Sequence, residues 1–234
     1  MSTIFHEVLY RPLFNLLVGI YNVLPLDDLG LAIILLTIFI RILFIPLSIK
    51  SIISQRELSR LQPKLQELQT KHKDDRQALG QATMALYKEH KVNPFGGCLP
   101  ILIQLPVIWA LYRVFIKGVT DTSLTFLYPF VNNPGTISNI SLGIIDLAQK
   151  NPLMAIIAGV LQGIQSWLTV KLQKPTDPSQ PENPAAKMTK QMMYIFPVMI
   201  TVISWSLPAG LVLYWITTTA FAIFEQLYIR RRYQ

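Results

Sequence analysis

A single arginine, Arg41, interrupts the apolar stretch LLTIFIRILFIP at residues 35–46. No Asp or Glu lies within ten positions of it on either side. A guanidinium is permanently charged and carries a rigid fork of N–H donors, so the chemistry that it offers here is the attraction of an anionic group. Charges within an apolar span usually face a partner or a water-filled cavity, because burying them alone is costly. Arg41 is therefore the leading candidate for a binding residue.

Polar residues in the other apolar segments recur at helical spacing, so that each set lies roughly on one helix face. The sets are Thr37 and Ser48 beside Arg41; Gln104; Gln162, Gln165, Ser166 and Thr169; Tyr194, Thr201 and Ser204; and Tyr214, Thr217, Thr218 and Glu225. Taken singly, such side chains often bond one membrane helix to another. Together with Arg41 they predict a hydrated groove open to the cytoplasm. The alternative is a structural ion pair between Arg41 and Glu225, the one carboxylate embedded in an apolar segment.

Residue patterns typical of enzymes and metal sites are missing from the sequence. It has no Gly-rich phosphate loop with its lysine, no His/Cys metal cluster and no nucleophile beside a base. The single cysteine, Cys98, excludes an internal disulfide. We therefore expect a protein that is not an enzyme and that needs no catalytic residue, metal or cofactor.

The composition predicts the elements that must position these residues. Of the 234 residues, 51% are hydrophobic and 15% are charged, and the mean hydropathy is +0.39, which indicates an integral membrane protein. A spanning helix needs about 20 mostly apolar residues. Five segments satisfy this requirement, at 29–50, 98–117, 152–172, 190–207 and 209–228, and SLPAG at 206–210 predicts a tight turn between the last two. We expect an all-α fold of five transmembrane helices.

Residues 1–28 predict an amphipathic helix on the outer membrane surface, bent at Pro12. Its apolar face would hold Phe5, Leu9, Leu13, Leu16, Ile20 and Leu24, and its polar face Glu7, Arg11, Asn15 and Asn22. The alternative is a cleaved signal peptide. The lack of a basic region before the apolar residues argues against that alternative.

The segment 51–93 predicts a cytoplasmic helical hairpin. Leu58, Leu61, Leu65 and Leu68 would line one arm, Leu79, Ala82 and Leu86 the other, and HKDDR at 72–76 would form the turn. The basic outer faces would lie beside anionic lipids. The alternative is a charged loop whose lysines and arginines only set the topology.

The distribution of positive charge predicts the orientation of the chain. With five spans, 16 of the loop and tail Lys and Arg residues lie on one side of the membrane and 3 on the other. Cytoplasmic loops carry the excess of positive charge. The N-terminus is therefore expected outside and the C-terminus in the cytoplasm, with the proline-rich segment 175–184 as a flexible linker on the cytoplasmic side.

Three separated motifs together resemble the YidC/Oxa/Alb family of membrane protein insertases. They are GLAIILLTIFIRILFIPLSIKS at 30–51, LYKEHKVNPFGGCLPILIQLPVIWALY at 86–112 and FPVMITVISWSLPAGLVLYWITT at 196–218. The resemblance implies a five-helix core without a channel, an outer amphipathic helix and a cytoplasmic hairpin. The family's groove arginine falls on Arg41, its glutamine on Gln104 and its tryptophan on Trp215. The third-span glutamine corresponds to either Gln162 or Gln165.

The resemblance also implies the function and the partners of the protein. Such proteins accept nascent membrane proteins from ribosomes, alone or beside the Sec translocon, and need no sequence-specific contact with nucleic acid. The start of the chain lacks a transit-peptide pattern, which favours a prokaryotic plasma membrane. The short basic tail and Arg113 depart from the family pattern. In this interpretation Arg41, Thr37, Gln104, Gln162, Gln165, Thr218 and Trp215 line the substrate groove.

Two other functions fit parts of the sequence. A secondary transporter or an anion channel could use Arg41 as its ligand, but five spans cannot form two equal repeats. An assembly chaperone that holds helices without inserting them would share every feature of an insertase.

Overall fold

The computed structural model describes residues 6–73, 75–93, 99–117, 124–172 and 184–233. After a π-helical turn at His6–Tyr10, the helices are α1 (Arg11–Val23), α2 (Leu29–Arg60), α3 (Gln62–Lys71), α4 (Arg76–Glu89), α5 (Leu99–Lys117), α6 (Pro152–Leu172), α7 (Pro184–Ser206) and α8 (Ala209–Tyr233). A short antiparallel hairpin, β1 (Ile140–Ser141) and β2 (Ile145–Asp146), precedes α6. The described chain is thus mostly helical, as the sequence predicts.

Three helices of the described chain are long and apolar enough to cross a membrane. These segments are Leu29–Arg60, Pro152–Lys171 and Ala209–Ile229. Within α7 the apolar stretch Met193–Ser206 is shorter. The predicted segments at 98–117 and 190–207 fall on α5 and α7, with residue 98 outside the described ranges.

The helix that carries Arg41 extends beyond the predicted end of the first span. α2 continues for 32 residues through Pro46, and it has no break at residue 50, where the first span was predicted to end. Neither Gly nor Pro occurs between Pro46 and Arg60, so nothing in this stretch stops a helix. The first predicted span and the start of the segment 51–93 are therefore one element.

The predicted hairpin consists of α3 and α4, with a turn at the predicted position. Leu61, Leu65 and Leu86 are buried, and the other predicted stripe residues are half-buried. Leu58 was predicted on the first arm but lies on α2, because that helix continues to Arg60. The Asp75 carboxylate caps α4 by accepting hydrogen bonds from two backbone N–H groups, each at 2.9 Å. Lys64 Nζ lies 2.8 Å from His90 Nε2, which joins the start of α3 to the end of α4 in antiparallel fashion.

The helix α1 is packed into the core on both its faces. Tyr10, Phe14, Leu17, Val18 and Tyr21 are buried, whereas the predicted apolar-face residues from Leu9 to Leu24 are half-buried against the same core and Phe5 lies outside the described residues. Pro12 is the second residue of α1, directly after the π-helical turn. Such a position suits proline, because the first helical N–H groups have no partner within the helix.

The polar face of α1 binds the loop that follows α5, rather than water. Asn15 Nδ2 donates to the Phe126 carbonyl at 3.0 Å, and Asn15 Oδ1 accepts from the Tyr128 N–H at 2.6 Å. Arg11 Nε donates to the same Phe126 carbonyl, and Asn22 donates to the Asn132 carbonyl. Backbone groups of the loop are thereby satisfied by side chains of α1.

The helices α2, α6 and α8 form the centre of the bundle. α8 contacts both α2 and α6, α7 packs against α6, and α5 contacts α1, α2 and α8. Only Leu207 and Pro208 separate α7 from α8, as SLPAG predicts. The first N–H groups of α8 donate to the carbonyls of Gln149 and Leu147 at 2.8 and 2.9 Å, so the loop before α6 caps α8.

We expect Asn15→Leu to lower the free energy of unfolding by about 1 kcal/mol, because the part-buried Tyr128 N–H loses its acceptor. Thermal unfolding in detergent, followed by circular dichroism, measures the change. Asn22→Ala is the matched control, because Asn22 makes a single exposed bond and its loss has a smaller effect. Equal stability of Asn15→Leu and the parent protein would show that the loop does not depend on this contact.

Close packing of α6 on α7 gives a second prediction. A Cβ atom added at Gly159 would lie 1.8 Å from Thr201 Oγ1, so Gly159→Ala should destabilise the protein by about 1–3 kcal/mol. Adding Thr201→Ala should recover part of the loss. Gly80→Ala on α4 meets no atom within 4 Å and should be neutral or stabilising. A double variant no more stable than Gly159→Ala would contradict this account of the contact.

Candidate functional site

A cavity around Arg41 lies between α2, α5 and α8, and we call it the Arg41 cavity. It is lined by Thr37, Ile40, Arg41, Phe44, Leu47, Ser48, Gln104, Val107, Tyr214 and Thr218. Its volume is about 30 Å³, and it is partly open to the surroundings, so it has room for about two water molecules. Four predicted site residues, Thr37, Arg41, Gln104 and Thr218, are thus brought together by the fold.

The contribution of α2 to this cavity follows from its sequence spacing. Thr37, Arg41, Phe44 and Ser48 recur at three- and four-residue intervals, so their side chains lie on one helix face. The Thr37 hydroxyl is buried and donates to the Ile33 carbonyl at 2.6 Å, so its proton is used within α2. The hydroxyl oxygen can still accept a hydrogen bond from a molecule bound in the cavity.

Arg41 is a half-buried cation without a salt-bridge partner among the described residues. Its Nε is inaccessible to solvent and has no hydrogen-bond acceptor. The ion pairs of the described residues are His6–Glu7, Arg11–Glu7 and Arg60–Glu57, all of them away from this cavity. A charged group in such a place is stable only if water or a ligand provides the hydrogen bonds or the counter-charge that the protein does not provide.

Glu225, the alternative partner of Arg41, does not form an ion pair with it. The carboxylate is buried, and its Oε1 has no hydrogen-bond partner. The groups that act on it are the Ser48 hydroxyl and, through a Coulombic interaction, the Arg41 guanidinium. No nitrogen of Arg41 lies within the 4.0 Å that defines an ion pair. The described contacts therefore leave the guanidinium free to meet another anion.

Tyr214 is the main feature of the cavity that the predicted site residues omit. Its side chain is almost fully buried, and Gln104 Nε2 donates to its hydroxyl. Tyr214 precedes Thr218 by one helical turn, so both face the cavity. Ser48 was omitted as well. Both residues belong to the polar sets read from the sequence, and their spacing from Thr218 and Arg41 is the signal that could have selected them.

The other predicted groove residues form a separate polar network between α6 and α8. Trp215 Nε1 donates to Gln162 Oε1 at 3.3 Å, and Gln162 Nε2 donates to Gln165 Oε1 at 3.0 Å. Further along the same pair of helices, Gln226 donates to the Thr169 hydroxyl at 3.2 Å. None of these residues lines the Arg41 cavity. We call Gln162, Gln165, Trp215, Thr169 and Gln226 the α6–α8 network.

Helix geometry explains this separation. Consecutive residues of an α-helix point about 100° apart, because a turn contains 3.6 residues. Tyr214 faces α2 and α5, so the next residue, Trp215, is turned toward α6. Of the predicted groove residues, Gln162, Gln165 and Trp215 thus do not line the Arg41 cavity and form a second polar cluster on another face of α8.

Comparison with known proteins gives consistent matches over most of the chain. The family model described as 60Kd inner membrane protein matches residues 20–234. A membrane protein insertase YidC of Fusobacterium nucleatum subsp. nucleatum is 38% identical over 205 residues, which are 88% of this chain and 87% of that protein.

Two longer relatives carry the same name. The membrane protein insertase YidC of Geobacter sulfurreducens is 37% identical over 226 residues, or 96% of this chain and 37% of that protein. The corresponding protein of Francisella tularensis subsp. novicida is 42% identical over 206 residues, or 88% of this chain and 33% of that protein. The chain thus spans about a third of the length of these two relatives.

The hydrogen bond between α6 and α8 gives a prediction that separates the two clusters. In thermal unfolding experiments, Gln162→Met and Trp215→Phe should be non-additive by about 0.6 kcal/mol, because either change breaks the same bond. Gln104→Met with Trp215→Phe is the matched control pair, since Gln104 bonds Tyr214 instead, and it should be additive. Additivity in both pairs would contradict the α6–α8 network.

Proposed function

This chain belongs to the YidC/Oxa/Alb family of membrane protein insertases, and we propose that it accepts nascent membrane proteins in the Arg41 cavity and releases their apolar segments into the bilayer. The names of its relatives support the general activity. The description of the matching family supports a place in the bacterial inner membrane. The substrate class and the use of the cavity are our proposals.

The observation that carries this proposal is a half-buried arginine, its Nε inaccessible to solvent, that has a cavity beside it and no salt-bridge partner among the described residues. Moving the polar tail of a substrate across a bilayer is opposed by the cost of taking polar groups into hydrocarbon. A hydrated cavity part-way through the bundle shortens the distance over which that cost applies. The positive charge of Arg41 adds an attraction for acidic residues of the tail.

Burial of the substrate's own apolar segment supplies the drive. About 0.8 kcal/mol is gained for each CH₂ group that leaves water, so a spanning segment offsets the transfer of a short tail without nucleotide hydrolysis. Gln104, Tyr214, Thr218 and Thr37 would offer hydrogen bonds to the tail while it waits in the cavity. The α6–α8 network would form the neighbouring wall, and the exposed apolar faces of α6 and α8 the route into lipid.

We place five spans in the membrane, namely the apolar part of α2 together with α5, α6, α7 and α8. The positive charge then puts the N-terminus outside and the C-terminus in the cytoplasm. In this arrangement α1 lies at the outer surface and the hairpin of α3 and α4 in the cytoplasm. The basic hairpin would meet the ribosome and anionic lipids, and a Sec translocon could stand beside the bundle.

Insertion into liposomes by the purified protein tests the role of Arg41. The substrate is a single-span protein with an acidic tail, compared with a version in which the Asp and Glu residues of the tail are neutralised. Arg41→Ala should lose insertion, most strongly for the acidic tail. Arg41→Lys should retain much of it, because lysine keeps the point charge and loses only the planar fork.

Two controls make the result specific. Arg113→Ala removes an arginine of α5 that does not line the cavity and should leave insertion unchanged. In the double variant Arg41→Ala with Glu225→Ala, the cavity mechanism predicts no recovery, whereas a structural pair predicts recovery of stability and activity. Recovery in the double variant, or equal loss for the acidic and the neutral tail, would overturn the assignment of Arg41 as the substrate-facing charge.

A further inference from the structure

The hairpin of β1 and β2 exposes three large apolar side chains close together. The exposed fractions are 54% for Ile140, 62% for Leu142 and 81% for Ile144. The base of the hairpin is well packed, since Ser141 and Leu147 are buried. Apolar side chains exposed together on a firmly held element indicate an interaction surface rather than a loosely packed loop.

Asp28 holds this hairpin against the first turn of α2. The Asp28 carboxylate caps α2 by accepting from the Leu31 N–H at 2.9 Å, and it also accepts from the Ser141 hydroxyl at 2.8 Å and from the Leu142 N–H. Burial acts to raise the pKa of Asp28, but these hydrogen bonds outweigh it and lower the pKa below its ordinary value. The carboxylate therefore stays ionised at neutral pH and keeps the hairpin attached.

The fit at Gly30 fixes the depth of the hairpin relative to the apolar span. A Cβ atom at residue 30 would lie 2.0 Å from Ser141 Oγ, so only glycine permits this approach. The apolar part of α2 begins at Leu29. The hairpin thus lies beside the level at which the span enters the hydrocarbon.

Two features of the surroundings favour lipid over a protein partner. Residues 134–145 contain no Asp, Glu, Lys or Arg, so this segment offers no charge to a protein surface. Val23, the last residue of α1, and Leu26, in the linker to α2, are exposed by 84% and 67%, so further apolar side chains are exposed just before Asp28 in the chain.

The backbone at Leu142 is consistent with a required apolar side chain. Its φ is 50°, in the left-handed region that leucine rarely adopts and that Gly or Asn adopts more easily. Its N–H is bonded to Asp28, which holds the residue in this conformation.

We propose that the hairpin is a membrane anchor whose tip inserts Leu142 and Ile144 into the interface of the bilayer at the N-terminal end of α2. The bilayer is the occupant of this apolar surface, and the hairpin fixes the depth of the end of α2 while substrates pass the bundle. This anchor is independent of the role of Arg41.

Spin labels at single cysteines test the anchor. In a Cys98→Ser background, Leu142→Cys and Ile144→Cys are labelled in the full-length protein and reconstituted into phosphatidylethanolamine–phosphatidylglycerol vesicles. Power saturation with oxygen, which concentrates in lipid, and with a water-soluble nickel chelate then reports the depth of each label. Phe39→Cys, on an exposed position of α2, is the lipid reference, and Thr136→Cys, on an exposed position of the outer loop, is the water reference.

We expect oxygen-to-nickel accessibility ratios at residues 142 and 144 several-fold above that at residue 136 and approaching that at residue 39. Ratios equal to that of residue 136 would place the hairpin in water and overturn the proposal. Labels that are immobile and shielded from both reagents would show a protein occupant and overturn it as well. Two labelled positions keep the test decisive if one substitution disturbs the hairpin.

Discussion

The cost of burying the Arg41 charge is the constraint on which the rest of this structure depends. A guanidinium among apolar helices is stable only beside a counter-ion, a ligand or water. Its Nε has no acceptor, and the described ion pairs lie elsewhere. The bundle meets this constraint with a cavity, since α2, α5 and α8 leave about 30 Å³ beside the charge, which is partly open to the surroundings and large enough for water. That space is what makes an insertase of this family plausible on physical grounds.

Helix α8 separates this space from the rest of the bundle. One of its faces presents Tyr214 and Thr218 to Arg41, and the adjacent face bonds Trp215 to Gln162 of α6. A change in the position of α8 would thus alter the cavity and the α6–α8 network together. The loop before α6 fixes the start of α8 through the carbonyls of Leu147 and Gln149. Packing at one end of the helix thereby supports the binding geometry in its middle.

Local features of the fold could be predicted from the sequence, and features set by distant contacts could not. The turn between α3 and α4 and the two-residue connection at Leu207–Pro208 follow from short-range residue chemistry. So does the shared helix face of Thr37 and Arg41. The contacts made by the polar face of α1 could not be predicted from the sequence, because the carbonyl that Asn15 binds lies 111 positions away. The division between Gln104 and Gln162 likewise depends on which neighbour each face of α8 meets, and periodicity does not determine that.

The central claim is that the Arg41 cavity is hydrated and carries an uncompensated positive potential. A cysteine at Ser48 in the Cys98→Ser background, in vesicles with the cytoplasmic face outward, can be modified by methanethiosulfonates that carry either a sulfonate or a trimethylammonium group. Relative to a free thiol, the cavity predicts faster reaction with the sulfonate, and loss of that preference after Arg41→Gln. A preference that is absent from the start, or unchanged after Arg41→Gln, would contradict the claim.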